Sequence, residues 1–145
     1  MGLTRNRDLP PLQQLLLVIV MVLLSAGLWY GWFAWDTEYY LDASTGEMAG
    51  PYRVWQGVGA FLCGIVVMIV AYRTLHIGVA LVVLPASFTL AWISTAAADD
   101  VTGLWMVGAI MVAVGSFLGA AVLLSLTAAV DSLSREPSIP PSSAE

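Results

Sequence analysis

Apolar positions dominate this chain in four long runs, and the polar residues gather between them. From Leu12 to about Ala34 there is no charged residue, with Gln13 and Gln14 at the start and Ser25 inside. About 20 apolar residues suffice to cross the hydrocarbon of a bilayer, so the run reads as a full helical span, 12–34. A second run covers 54–72, a third 75–95 and a fourth 104–127. Pro10 and Pro11 suit a helix start, where a missing N–H has no partner to lose. Pro85 falls inside the third run, where it removes the bond to the Leu81 carbonyl and predicts a kink. Membrane helices tolerate such a break when neighbours satisfy the freed group. A basic arm before an apolar run is also the plan of a signal peptide, with Ser25-Ala26-Gly27 as small residues for cleavage. The run continues through Leu28, Trp29 and Phe33, past the usual length, and is read as retained.

The connections are unequal. Arg73 to His76 is a short turn, and Ala96 to Gly103 is a short loop holding Asp99 and Asp100. Two adjacent aspartates at mid-membrane would each cost roughly 3 kcal/mol, so they mark a boundary. The connection 35–53 is the long one. The stretch from Trp29 to Gln56 holds four of the six Trp, four of the five Tyr and four of the ten acidic residues. Within it, Asp42-Ala-Ser-Thr-Gly46 has the residues of a turn, because Asp bonds its own backbone and Gly accepts positive φ. The flanks 38–42 and 47–52 then pair as a short hairpin that Gly50-Pro51 ends. The expected fold is all-α: a four-helix transmembrane bundle with a short structured first outer loop. Residues 1–11 form an N-terminal arm, 12–130 the membrane domain, and 131–145, rich in Ser and Pro, a disordered tail.

Charge orients the bundle. Four spans place both termini on one side. Arg5, Arg7, Arg73 and Arg135 share that side and Arg53 lies on the other, so the positive-inside bias predicts N-in and C-in. All six Trp then lie near the outer interface, where indole rings find an apolar body and a polar edge to match. The location implied is the plasma membrane, multi-pass, as in a bacterial inner membrane.

Composition narrows function. Hydrophobic residues make up 59% of 145 and charged residues 10%, which leaves lipid as part of the solvent. A net charge of −5 with no Lys argues against nucleic acid and against a polybasic lipid surface. Cys63 is alone, which excludes an intramolecular disulfide. His76 has no ligand or nucleophile partner near it in sequence, and no catalytic spacing is present, so no enzyme, cofactor or resident metal is expected.

The candidate outer-face residues are Trp32, Trp35, Asp36, Glu38, Tyr39, Tyr40, Asp42, Tyr52, Arg53, Trp55, Asp99 and Asp100. Their acids invite comparison with a divalent-cation site, yet the spacing fits no calcium loop, and a hydrated acidic surface explains them. Their rings beside carboxylates suit an organic cation, while an interfacial belt explains them without a ligand. Small residues supply the candidate packing faces: Gly27 and Gly31, Gly64 with Ala60, Gly115 and Gly119 in GxxxG-like spacing, and Ser87, Ala91 and Ser94 along the third helix. No ionisable residue lies within a span, against the usual mark of an ion-coupled pathway.

Thr45-Gly46, Gly50-Pro51-Tyr52 and Trp55-Gln56, ahead of a second span, resemble small four-span membrane proteins of actinobacterial type. The resemblance covers the loop motif and the span count and implies no functional residue. Gly27-Leu28-Trp29 is similar to claudin-type proteins, but those carry a Cys pair in the first outer loop that this chain lacks. The expectation is a non-catalytic accessory or assembly subunit of a larger envelope complex. Its partners would be the lipid bilayer, other membrane subunits or itself, without nucleic acid. The alternative is a small oligomeric transporter or channel subunit for a cationic or neutral solute.

Overall fold

A computed structural model describes residues 2–6, 8–100 and 102–134, with the Asp99 side chain outside the description. The chain forms α1 (Pro11–Trp32), a two-stranded hairpin of β1 (Tyr40–Leu41) and β2 (Met48–Ala49), α2 (Val54–Thr74), α3 (Ile77–Asp99) and α4 (Trp105–Leu133). All four helices are long and apolar enough to cross a membrane. The protein is a multi-pass membrane protein by that measure.

Helix ends follow local chemistry. Pro11 opens α1 at its first position, as the fixed proline φ favours. α2 runs two residues past the expected end, to Thr74, so the α2–α3 link is Leu75 and His76 alone. His76 is the N-cap of α3, its Nδ1 accepting from the Gly78 N–H at 3.3 Å. α3 continues to Asp99, four residues beyond the expected end. Its alanine-rich last turn, Ala96-Ala97-Ala98, favours the helix over the loop drawn from the two aspartates. Pro85 lies inside α3. The Ser25 hydroxyl of α1 donates to the Leu84 carbonyl beside it at 2.7 Å, not to the Leu81 carbonyl that loses its partner. α4 extends to Leu133, so 131–133 are helical rather than disordered. The rest of the expected tail, 135–145, lies outside the described residues, as do Arg7 and Arg135.

Around the bundle α1 packs on α2 and α3, and α4 packs on the same two, leaving α1 and α4 on a diagonal without contact among the described residues. α2 and α3 touch sparsely despite their short link. A buried cluster that includes Met21, Ala71, Tyr72, Leu75, Ala80 and Leu124 packs the end of the bundle nearest that link.

The N-terminal arm is built into this end. The His76 N–H donates to the Leu3 carbonyl at 3.1 Å and the Arg5 N–H to the Thr74 carbonyl at 3.0 Å, a one-residue bridge of Thr4 with Leu75. Thr4 is 1% exposed and Leu75 0%. The Arg5 guanidinium lies 4.6 Å from the Tyr72 ring centre and donates to the Tyr72 carbonyl at 3.1 Å. The Tyr72 hydroxyl in turn donates to Asp131 of α4 at 3.2 Å. The arm thereby supplies the acceptor for the His76 N–H and the donor for the Thr74 carbonyl at the helix link.

Candidate interaction surface at the tryptophan-rich end

The opposite end gathers the last turns of α1 and α3 and the first turns of α2 and α4. Its centre is Trp29, 6% exposed. Phe33 stacks on it at 5.4 Å, and Tyr52, Phe88 and Trp92 meet it edge-on at 5.8, 6.2 and 6.4 Å. Its indole N–H donates to the Thr95 hydroxyl at 3.0 Å, which donates onward to the Trp92 carbonyl at 2.9 Å. Trp55 joins Trp32 at 6.2 Å and Trp35 at 6.4 Å, and Phe33 meets Tyr52 at 5.1 Å. The rings thus occupy one another's faces, the favoured offset and edge geometries for aromatic pairs.

Under this layer Gln56 ties the loop to α2. Its side chain is fully buried. Oε1 accepts the Arg53 N–H at 2.5 Å and Nε2 donates to Asp36 Oδ2 at 2.9 Å. The Arg53 guanidinium sits 5.1 Å from the Tyr40 ring centre, which fastens the hairpin to the start of α2. Burial, with Tyr39 and Asp36 nearby, raises the Tyr52 phenol above its ordinary value.

The hairpin is shorter than its flanks allow, pairing Tyr40 with Ala49 and Leu41 with Met48. Its turn is the predicted one. Asp42 Oδ1 accepts from the Ser44 N–H at 2.8 Å and the Ser44 hydroxyl at 2.6 Å, and Gly46 takes φ +71°. The second loop repeats the device. Asp100 Oδ1 accepts the Thr102 N–H and hydroxyl at 2.7 and 2.6 Å, while Oδ2 accepts the Trp105 N–H at 2.9 Å, one of the unpaired donors at the start of α4. These bonds hold both carboxyls below their ordinary range, through the Ser44 hydroxyl above all for Asp42 and the Thr102 hydroxyl above all for Asp100.

The structure therefore brings these residues to one end of the bundle in three groups: Trp32 and Trp35 on Trp55, Asp36 and Arg53 through Gln56 with Tyr40 under the Arg53 guanidinium, and Tyr52 on Phe33 and Trp29. Glu38 and Tyr39 are exposed on the approach to the hairpin, and Asp42 and Asp100 serve their own turns. Among the described residues no three His, Cys, Asp or Glu side chains form a group able to hold a metal ion. Beside the packed aromatic rings, the Arg53 guanidinium lies over Tyr40.

The small residues divide differently from their spacing. Ser87 and Ala91 are buried in the bundle, and Gly64 faces Leu28 Cδ1 at 3.9 Å from where a Cβ would stand. Ser94 is exposed and shares a 2.5 Å hydrogen bond with the Tyr30 hydroxyl. Gly27, Gly31, Gly115 and Gly119 have open space at that position and are not packing contacts within the chain. The close approaches are at Gly59, where a Cβ would overlap the Trp32 ring, and at Gly108, where it would meet Trp92 Cη2 at 2.6 Å. Spacing could not reveal these two. The available signal was a glycine one turn inside a helix end, level with a neighbour's interfacial Trp.

No protein family, curated protein or solved structure matches this chain.

Proposed function

We propose that the chain is a non-catalytic accessory or assembly subunit of a larger membrane complex, with the tryptophan-rich end as its docking face. The observation that carries this reading is the hairpin. Tyr39, Leu41 and Met48 are each 65% exposed on a loop that Asp42, Gln56 and Arg53 hold in place. An ordered hairpin whose exposed apolar side chains flank a polar turn is the composition of a protein contact rather than of a solvated linker. Gly27 and Gly31, open on the outer side of α1, add a face on which a partner helix can approach closely.

The arginine distribution supports N-in and C-in in a plasma membrane, which sets the hairpin outside. A solute pathway has less support. The hydroxyls it would use are engaged: Ser87 with the Val83 carbonyl, Ser94 with Ala91, Thr95 with Trp92, and Thr89 with Ser116.

Gentle-detergent purification from the native host, with mass spectrometry of what accompanies the chain, tests the reading. A stoichiometric membrane partner that is lost on the paired change Leu41→Ser and Met48→Ser is the expected result. A chain that purifies without other proteins, or a partner indifferent to the hairpin, would overturn it.

A further inference from the structure

Between the packed aromatic end and the packed Tyr72 end, the middle of the bundle is loose. A cavity of about 270 Å³ opens there, with walls from all four helices. Gly64, Phe88 and Gly119 all line it, and each is the central residue of its helix, with ten, eleven and fourteen helical residues on either side. At 1.5 Å per residue Gly64 lies about 15 Å from either end of α2, the depth of the bilayer midplane, and the cavity walls reach from there toward Ala60 on one side and Met68 on the other. Its exposed lining residues are Phe61 on α2 and Gly119 on α4, so its mouth lies between those helices and faces hydrocarbon.

The wall chemistry selects the occupant. Its two hydroxyls are already committed, Ser25 to the Leu84 carbonyl at 2.7 Å and Ser116 to the Val112 carbonyl at 2.7 Å. Among the described residues no buried side-chain polar atom lacks a partner, so none is free to anchor water or a polar solute there. Water needs two or more polar partners to stay in a protein cavity, whereas a dry cavity of about 150 Å³ takes a benzene ring. An empty space of this size would also deprive its walls of dispersion contacts.

We propose that this cavity holds the hydrocarbon end of one phospholipid acyl chain, which enters between α2 and α4 past Gly119. The glycine at 119 then keeps the mouth open, which accounts for its position on α4 without a helix packed against it. The chain completes the bundle's core from the lipid side. This inference does not rest on the docking role of the hairpin, and its test requires no protein partner.

The test uses the full chain in liposomes of phosphatidylcholine and phosphatidylglycerol, doped with a phospholipid carrying a diazirine near the end of one acyl chain. After irradiation, adducts are mapped by peptide mass spectrometry. The expected result is labelling of the wall residues Met68, Leu84 and Phe88 as well as outward residues such as Leu118. Gly119→Phe, placed where a Cβ meets open space, should fill the mouth and abolish wall labelling while Leu118 remains labelled. Ala60→Phe, from the opposite wall, serves where the first variant does not insert. Labelling confined to outward residues, or wall labelling unchanged in both variants, would overturn the proposal. So would efficient disulfide dimerisation of Gly119→Cys in a Cys63→Ser background at high lipid dilution, which would place a second copy at the mouth.

Discussion

Gln56 Nε2 donates to Asp36 Oδ2 at 2.9 Å, and this bond closes a loop of twenty residues on itself. Because Gln56 is fully buried and also accepts the Arg53 N–H, both halves of its amide are engaged. Gln56→Leu leaves the Arg53 N–H and the Asp36 carboxylate without that partner. A loss of about 1–3 kcal/mol is expected, read as a lower Tm in detergent micelles. Gln56→Glu is the sharper test. It sets a second carboxylate against Asp36, and the pair then favours one bound proton. The folded state binds more protons than the unfolded chain, so this variant should gain stability as pH falls from 7 to 5, a range in which the parent gains none from this contact. A parallel pH profile for the two would remove the Gln56–Asp36 contact from the account.

Glycines that share a spacing differ in what surrounds them. A Cβ at Gly59 overlaps Trp32, and one at Gly108 meets Trp92. Gly59→Ala and Gly108→Ala should each cost about 1–3 kcal/mol through overpacking. Gly27→Ala meets open space, and the better helix propensity of alanine should leave it neutral or more stable by up to about 1 kcal/mol. Thermal unfolding of the three variants side by side decides this ranking.

That contrast shows which parts of the structure were legible in the chain. Four helices follow from run length alone, because a span needs a minimum number of apolar residues and nothing about its neighbours. The Asp42–Gly46 turn was legible because its chemistry is local: the carboxylate bonds Ser44 two residues on. Gln56 was not, since its partner Asp36 lies twenty residues back and a lone Gln at a helix start carries no pattern. Pairings between helices were hidden for the same reason. The packing order α1–α2–α4–α3 around the bundle decides that Trp32 faces Gly59, and near-uniform apolar helices show no stripe to predict it. The helix end at Asp99 was misplaced where paired aspartates were taken as a boundary, and that at Leu133 where a Ser- and Pro-rich tail was taken to start at 131, although a helix emerging from the apolar layer carries polar residues without cost.

Asp42 and Asp100 give the Trp-rich end a dependence on acid. Both have folded-state values below the ordinary carboxylate value, so each contributes stability that is present above that value and is lost as pH falls through the lowered one. The loops should therefore hold from neutral pH down to roughly 4, and loosen below it. Amide exchange at Ser44 and Trp105, corrected for the intrinsic effect of pH, should show protection falling together in that range. Asp100→Asn should bring the loss at Trp105 to neutral pH while Ser44 is unaffected, because the two turns share no residue.

At the other end the arm is held by side chains as well as by backbone: Gln14 Oε1 accepts the Leu3 N–H at 3.0 Å, and Arg5 reaches Tyr72. The Arg5 side chain covers the Tyr72 ring and bonds the Tyr72 carbonyl, while the Arg5 N–H donates to the Thr74 carbonyl and the Leu3 carbonyl accepts from the His76 N–H. Arg5→Ala removes a cation–π contact worth about 0.5–1 kcal/mol at an exposed site together with a charged hydrogen bond. The backbone bridge then opens more often, and exchange of the His76 amide, whose acceptor is the Leu3 carbonyl, should rise roughly tenfold. Tyr72→Phe separates the two roles of the tyrosine. It keeps the ring beneath Arg5 and removes the bond to Asp131, so it should lower overall stability by about 1 kcal/mol and leave His76 protection close to that of the parent relative to global unfolding. If His76 exchange is the same in Arg5→Ala as in the parent, the arm is held by its backbone bridge, the buried Thr4 and the Gln14 side chain, and Arg5 serves only as a charge at this end of the bundle.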